Sequence, residues 1–450
     1  MSMFNMDDIA DQVDRLNYRL VDSDMDPDPA DPFTPGLHPT RSSPVFDDSD
    51  PEPDDTDDYI VTDYAGADVT RLDIPRRTSA RRGSHSVDLR INEPFISSSV
   101  KDVHTSYKPT LDDFEPIMVL GKGTYGKVLL VRQKTTGKLF AQKQLKKISL
   151  LMNNEVNEVN LERTLNEKKI LERVNHPNIV KLYYAFQDFN KVYLILEYLD
   201  GGELFYHLSQ ESFLPESKAC FYIAQLVLAL RYLHLQLHVI YRDLKPENCM
   251  LDSSGSLVLT DFGLSKVSDK DKTNSFIGTI QYMAPEILRN ENYSYEVDWW
   301  SLGCISFDLL TGSPPFTGNN NKKITEKILA SKKNLKFPFY LSLDAKDFLR
   351  KLLAVNIDKR INLDQDDQFE AIKKHRFFRH INWDDLIHNN QAVLPPILPV
   401  ITNPLLAENF DKEFTEMAFT PPMTKSNEDI LHVNGFTFTN EKFLNSYVLK

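Results

Sequence analysis

At 450 residues and 41% hydrophobic content, the chain is long enough for two or three domains and apolar enough to bury a real core. Its three cysteines, Cys220, Cys249 and Cys304, form no CxxC pair and lie in apolar surroundings; this argues against a disulfide framework or a cysteine metal knuckle and for buried thiols in a reducing compartment. The charge is lopsided. Residues 1–63 hold 3 Arg against 17 Asp and 1 Glu, a net −15, while the whole chain carries −13, so residues 64–450 net about +2. The acidity belongs to a tail and says nothing about the body.

The N-terminus (MSMFNMDDIADQVD) lacks a positive n-region and an apolar h-region, so no signal peptide is expected, and no run approaches the ~18 apolar residues of a membrane span. The chain is expected in the cytosol, the nucleus or both. Residues 1–110, rich in Asp, Pro and Ser, bury too little apolar surface to offset their ordering entropy and are expected to be disordered. Within them Ile9, Val13 and Leu16 recur near helical spacing, which suggests a short partner-binding helix over Met3–Leu20. Two basic notches follow, Arg76-Arg77-Thr78-Ser79 and Arg81-Arg82-Gly83-Ser84. A serine three residues after an arginine is a phosphoacceptor for enzymes with acidic subsites; the plain alternative is a solvated charge cluster. Thr34-Pro35 and Ser43-Pro44 suit proline-directed kinases, but such pairs are common by chance in a proline-rich tail.

Order is expected from Phe114. FEPIMVLGKGTYGKVLLVRQKTTGKLFAQKQLKK alternates like three strands with turns at GKGTYG and KTTG. Gly121, Gly123 and Gly126 spell G-x-G-x-x-G, a weak motif alone. A Walker loop is excluded because Val128 follows Gly126-Lys127 where a hydroxyl is needed, and a Rossmann turn because a strand rather than a helix follows. A glycine hairpin folded over a nucleotide fits, with Val128 covering the base. Lys143 on the next strand shares a face with Ala141 and points into a cleft, where it needs a counter-charge. The following helical stretch, NEVNLERTLNEKKILERV, offers Glu158, Glu162 and Glu167; Ile170 and Leu171 at i+3 and i+4 place Glu167 at the cleft edge, with Arg163 on the same face. NKVYLILEY (190–198) reads as a buried strand broken by Asp200-Gly201-Gly202-Glu203, the linker between a small β-rich lobe and a larger helical one.

The stretch from Tyr241 to Gly263 carries the chemistry. Asp243 is followed five positions later by Asn248 and eighteen later by Asp261, with two short apolar strands and a Ser-Ser-Gly turn between them. Such a hairpin returns Asp261 to Asp243 and Asn248, and two carboxylates and an amide suit a hard cation such as Mg²⁺. Helical patterning resumes around Ala284-Pro285-Glu286 and Asp298-Trp299-Trp300-Ser301-Leu302-Gly303 and continues to about Phe378.

These elements together resemble a eukaryotic protein kinase over residues 114–378. The resemblance implies an α+β, bilobal kinase fold, with residues 379–450 as a C-terminal extension. Tyr241 in place of the usual His and SFIGT at 275–279 point to the AGC class. LTGSPPFTGNNNKKITEKIL, FFRHINWDDLI and GTIQYMAPEIL look most like the ribosomal protein S6 kinases. The implied roles are as follows. Leu120, Val128, Ala141 and the glycine loop line the ATP site; Glu197 and Leu199 meet adenine through backbone, Leu196 is the gatekeeper, and Glu203 meets the ribose. Lys143, held by Glu167, grips phosphates. Asn248 and Asp261 bind Mg²⁺, Asp243 accepts the substrate's proton, and Lys245 steadies the transferring phosphate. Glu203, Glu247 and Asp308 would receive a substrate arginine, implying Ser/Thr acceptors with Arg near −3. Glu286 would pair with Arg360 structurally.

Regulation is implied in the same way. Phospho-Ser275 would be held by Arg163, Arg242 and Lys266; Thr420 and Thr437 occupy the turn-motif and hydrophobic-motif positions, and Phe410 or Phe414 would approach the nucleotide. Val433, in place of an aromatic, should weaken docking of the hydrophobic motif. Phe4–Asp7 resembles a short recruitment signal, although Asp8 stands where an aliphatic residue is expected. No second kinase domain or long autoinhibitory tail is expected, since the chain stops soon after that motif. The implied partners are basic-motif protein substrates and upstream kinases, without nucleic acid or membrane, for a monomer using ATP and Mg²⁺. The rival readings are a pseudokinase scaffold and a metabolic small-molecule kinase. The first is opposed by the presence of Lys143, Asp243, Asn248 and Asp261, the second by Ala284-Pro285-Glu286.

Overall fold

The computed structural model describes residues 108–123, 126–147, 155–268, 273, 275–388, 394–418, 433 and 435–440, with 155–161 described by backbone alone. Phe4–Asp7, Met3–Leu20, both basic notches, the two Pro-directed sites and Thr420 lie outside the described residues.

The alternating stretch after Phe114 forms β1 (Phe114–Gly123), β2 (Gly126–Gln133) and β3 (Leu139–Lys146), antiparallel neighbours in one sheet. A helix, α1 (Glu155–Arg173), precedes β4 (Leu182–Gln187) and β5 (Lys191–Glu197), and the sheet order is β1-β2-β3-β5-β4. A sixth strand, β11 (Phe438–Thr439), joins the β4 edge from the far end of the chain. One face of the sheet buries an aromatic cluster of Phe114, Phe140, Tyr183, Tyr184, Phe186 and Tyr193. The ring pairs meet at centroid distances of 5.0–6.4 Å, mostly in the edge and tilted arrangements that aromatic quadrupoles favour, with Tyr184 stacked on Phe186.

Three short strands and a hairpin mark the passage to the second lobe: β6 (Gly202–Glu203), β7 (Val239–Ile240), β8 (Cys249–Leu251), β9 (Leu257–Leu259) and β10 (Lys266–Val267). The lobe itself is helical, built on α2 (Leu204–Glu211), α3 (Glu216–Leu237), α4 (Glu296–Thr311), α5 (Asn321–Leu329), α6 (Leu343–Leu352) and α7 (Asp366–Lys373). α3 is long and apolar enough to cross a bilayer by length and composition, but 78% of its apolar window is buried inside the protein. It is apolar on nearly all sides because it is the central helix of the lobe. Lys218, Gln225, Arg231 and His234 interrupt it, which is why a count of consecutive apolar residues passes over it.

The Glu286–Arg360 pair forms as two parallel hydrogen bonds of 2.5 and 3.0 Å, with both side chains 1% exposed. Arg360 also donates to the carbonyls of Ala354 and Glu296, so its donors are matched away from water.

Residues 394–418 run back from the large lobe to the small one. Ile397 donates its N–H to the Tyr222 hydroxyl at 3.1 Å, and its carbonyl lies so near Gly255 that a Cβ there would sit 1.9 Å away. Asn409 donates to the Asp200 carbonyl at 3.0 Å. Phe410 stacks on Tyr198, and Phe414 and Met417 pack under β1 against the aromatic cluster. The extension thus bridges the lobes across the linker.

Candidate active site

The hairpin of β8 and β9 closes with Cys249 opposite Leu259 and Leu251 opposite Leu257. This brings Asp261 back beside the loop that carries Asp243. Arg242 (φ 66°) and Asp261 (φ 52°) both hold left-handed backbone, a strained conformation for residues with a Cβ and one that re-aims each chain segment at the cleft. The Asn248 amide donates to the Asp243 backbone carbonyl (2.8 Å) and to Asp243 Oδ2 (3.0 Å). Lys245 Nζ reaches the same Oδ2 at 3.0 Å. Asp243 Oδ1 is buried and has no hydrogen-bond partner. Burial pushes the Asp243 carboxyl up to about 6, against the pull of Lys245 and Asn248 and with a further push from Asp261. A buried carboxylate oxygen without a partner and raised in basicity has the chemistry that a proton acceptor requires.

Lys143 lies at the centre of a charge triad. Its Nζ donates to both Glu167 oxygens (2.8 and 3.0 Å) and to Asp261 Oδ1 (3.0 Å). Burial alone would lower the lysine, but Asp261 and Glu167 outweigh it and hold the ammonium charged. Lys143 in turn pulls the Asp261 carboxyl below its ordinary range. Burial raises Glu167, opposed by Lys143. Of the rival partners, Glu162 is exposed and the Glu158 side chain lies outside the described residues, whereas Glu167 is 2% exposed and paired.

Above the triad, the glycine hairpin pairs Gly121 with Val128 and Gly123 with Gly126; its tip at 124–125 lies outside the described residues. A Cβ on Gly121 or Gly123 would meet nothing within 4 Å, so open space lies against the backbone there. Gly126 answers a different need, since a Cβ would fall 1.8 Å from the Gln144 carbonyl of the neighbouring strand. Leu120, Val128 and Ala141 share one apolar cluster with Tyr198, Ala407 and Phe410, forming a slot at the lobe junction. It is Phe410, not Phe414, that joins this slot. Leu196 is half-buried behind it; the Glu197 carboxylate is paired with Lys181 at 2.8 Å, and the Leu199 carbonyl accepts from Gly202 at 3.2 Å.

On the outer side, Glu203, Glu247 and Asp411 approach one another. Burial first, then the charges of Glu247 and Asp411, push the Glu203 carboxyl up to about 7. Asp411, which the sequence reasoning missed, comes from the C-terminal extension and was detectable only as the neighbour of Phe410. Asp308 departs from expectation. It is fully buried in α4 and accepts from the Tyr282 hydroxyl at 2.9 Å, so it presents no surface to a peptide. The helix that carries it is buried at every position from Val297 to Leu310, so Asp308 has no outward face to occupy.

A second missed residue is Asp298. Its buried carboxylate accepts from the backbone N–H of Tyr241 (2.7 Å) and of Arg242 (2.8 Å) and from His234 Nε2 (2.9 Å), fixing the loop that carries Asp243. The D-W-W-S-L-G run marked a helix start but not this reach across the lobe.

Around Ser275, Arg242 is linked to the serine through Tyr293. The Arg242 guanidinium donates to the Leu264 carbonyl (2.8 Å) and approaches the Tyr293 hydroxyl (3.5 Å), which donates to the Ser275 carbonyl (2.7 Å). The Ser275 hydroxyl faces Thr273 at 3.3 Å. Arg163 and Lys266 are half-buried and form no ion pair among the described residues.

At the other end, Phe436 is fully buried beside α1 and Val433 is 6% exposed. Gln187 clamps Val433 through its backbone, accepting its N–H and donating to its carbonyl, both at 2.9 Å. Lys168 donates to the Gly435 carbonyl at 2.8 Å and lies over the Phe436 and Phe438 rings. Thr437 is exposed between them. Val433 is therefore seated through its backbone by the Gln187 side chain.

A glycine flap, a lysine gripped by a helix glutamate and a loop carboxylate, and a buried aspartate with one unpartnered oxygen between two lobes are the arrangement of a protein kinase. The profile of the protein kinase domain family matches residues 114–378, more than half of the chain, and the chain belongs to that family. Among curated proteins it is similar to the serine/threonine-protein kinase YPK3 of Saccharomyces cerevisiae, 42% identical over 404 residues that cover 77% of this chain and 76% of that protein. The RAC family serine/threonine-protein kinase homolog of Dictyostelium discoideum is 40% identical over 365 residues (79% and 78%). The ribosomal protein S6 kinase beta of Caenorhabditis elegans is 45% identical over 329 residues (72% and 58%). The chain is an AGC-type serine/threonine protein kinase, and as such it uses ATP and a divalent metal. No group of three or more His, Cys, Asp or Glu side chains suited to a metal occurs among the described residues.

Proposed function

We propose that this kinase phosphorylates serine and threonine in basic contexts, with arginine near −3, in the manner of the S6 kinase branch of its class. The observation that carries the reading is the acidic trio Glu203, Glu247 and Asp411 at the mouth of the Asp243 cleft. The Glu203 carboxylate is repelled by Glu247 and Asp411, and a guanidinium arriving there relieves that repulsion.

In the reaction Asp243 orients the acceptor hydroxyl and receives its proton on Oδ1, while Lys245 holds Asp243 and faces the transferring group. Lys143 positions phosphate oxygens, with Glu167 keeping its ammonium in place. Asp261 and the Asn248 oxygen would hold Mg²⁺, which supplies charge neutralisation when bound. The chain's own contribution is positioning and electrostatics. Phosphorylation of Ser275, Thr420 and Thr437 by upstream kinases would raise activity: Arg242 is one short movement from Ser275, and Thr437 lies beside Lys168 at the groove next to α1. We further propose a monomer acting in the cytosol and nucleus on protein substrates.

The test is kcat/KM on paired peptides differing only at −3. Replacing Arg by Ala there should cost roughly 30-fold or more, mostly in KM. The preference should weaken as pH falls through about 7, because the Glu203 carboxyl then protonates and loses its attraction for the arginine. Equal rates on both peptides would sink the reading.

A further inference from the structure

The large lobe carries an apolar face that neither its core nor the cleft uses. Phe339 is 95% exposed and Leu343 82%, with Tyr340 and Phe213 exposed beside them. Three of the rings form a row. Phe213 stacks on Tyr340 with centroids 5.4 Å apart, and Tyr340 meets Phe339 edge-on at 5.8 Å. They come from two places in the chain, the turn that follows α2 and the loop that leads into α6. Single exposed apolar residues are ordinary on a protein surface, but several gathered at one place mark an interaction site. The face is also rigid. Glu216, in the first turn of α3, accepts from the Ser342 N–H and from its hydroxyl, both at 2.7 Å. That hydroxyl in turn caps α6 by accepting from the Ala345 N–H at 3.0 Å. Leu341 is buried, and the Phe339 carbonyl accepts from Lys346 at 3.3 Å. Rings held in this way lose little freedom when a partner covers them.

The surrounding charge is one-sided. Residues 331–351 hold six basic side chains against two acidic ones, a net +4, where residues 64–450 together net about +2. Lys351 is taken up by Asp347. Lys332, Lys333, Lys336, Lys346 and Arg350 form no ion pair among the described residues, and the first three are fully exposed to solvent. Lys346 and Arg350 follow Leu343 by three and seven positions, hence along one side of α6. At the Phe213 end the neighbours are instead acidic: Glu211, which Lys218 pairs at 3.3 Å, and Glu216. A plane of anionic headgroups would press on both ends at once. A peptide can lie along the basic side alone, with an apolar side chain against the rings.

We propose that this face docks an acidic segment of a partner protein, its carboxylates against Lys332, Lys333, Lys336 and Lys346 and a large apolar side chain against Phe339, Tyr340 and Leu343. The anchors are aromatic and pre-positioned, and the charges at their rim steer the segment and set its direction. The site shares no residue with the Asp243 cleft and does not rest on the basic-context reading above.

The probe is a random peptide library displayed on phage, selected on the full chain in the presence of excess F339S/L343S variant. It should yield peptides that combine Asp or Glu with Phe, Trp or Leu. One such peptide, made synthetically, should bind the wild type with an affinity that F339S/L343S and K332E/K333E/K336E each lower roughly tenfold or more. The affinity should also fall as salt rises. Because the altered side chains are exposed, both variants should keep the wild-type urea midpoint and the wild-type kcat/KM on a short peptide substrate, which shows that the fold survives. No enriched peptide, peptides without acidic residues, or an affinity that either variant leaves unchanged overturns the proposal. Vesicles of phosphatidylcholine and phosphatidylserine form the other arm, and no binding to them is expected. Vesicle binding by the wild type that F339S/L343S abolishes would make the occupant a bilayer and overturn the proposal as well.

Discussion

Asp243 shows how a single side chain is tuned by where it is placed. A free aspartate is too weak a base to take a hydroxyl proton well, but burial raises this one to about 6, while Lys245 and Asn248 keep it from rising further. Asp243→Asn keeps the shape and removes the basicity, so kcat should fall by roughly 10²–10⁴-fold with KM for peptide little changed, as steady-state kinetics would read. For the wild type, kcat/KM should fall about tenfold per unit below pH 6, because the protonated carboxyl is no longer basic enough to take the hydroxyl proton. A flat profile to pH 5 would contradict that role. Glu286 is the structural counterpart. Glu286→Ala leaves the Arg360 guanidinium buried and uncompensated, and should cost roughly 3–5 kcal/mol in urea unfolding. A loss below 1 kcal/mol would mean that water reaches the pair.

Among the elements, the β8–β9 hairpin and the sixth strand of the small-lobe sheet do different work. The hairpin is local: its turn and two apolar triplets are contiguous in sequence, so its return toward Asp243 was legible from residue types alone. β11 is not. Two residues from the far end of the chain pair with β4 only because Phe436 fills a pocket beside α1 and Gln187 holds Val433. Since α1 carries Glu167, anything that seats β11 also steadies the partner of Lys143. Phe436→Ala should therefore destabilise the small lobe by roughly 3 kcal/mol and lower kcat several-fold, with faster amide exchange along β4. An unchanged exchange pattern on β4 would show that the strand contributes nothing to the sheet.

Across the whole molecule, one buried ionic knot ties three distant parts of the large lobe together. His234 on α3 points one ring nitrogen at Asp298 and the other at Asp364, both at 2.9 Å, so both nitrogens must carry protons. Burial would lower its pKa, but Asp364 and Asp298 overcome that and raise it to about 9. A histidine raised in the folded state stabilises fully below its unfolded value near 6.5, and that contribution is lost as pH rises through about 9. It amounts to something on the order of 3 kcal/mol. The difference in urea midpoint between wild type and His234→Gln should accordingly shrink between pH 6.5 and 9.5. A constant difference would rule out a charged imidazole.

Within the sequence alone, the spacing from Asp243 through Asn248 to Asp261, the glycines ahead of Val128 and the alternation around Lys143 determined the fold class and most of the cleft. Those features are set by short-range turn chemistry and strand period, which neighbouring residues dictate. Tertiary structure decided what depended on segments meeting from afar. It turned Asp308 into the lobe core, brought Asp411 to the acidic trio and Asp298 under the Asp243 loop, and seated Val433 on Gln187. In each case the deciding term was burial against a partner tens or hundreds of residues away, and no local pattern encodes such a partner.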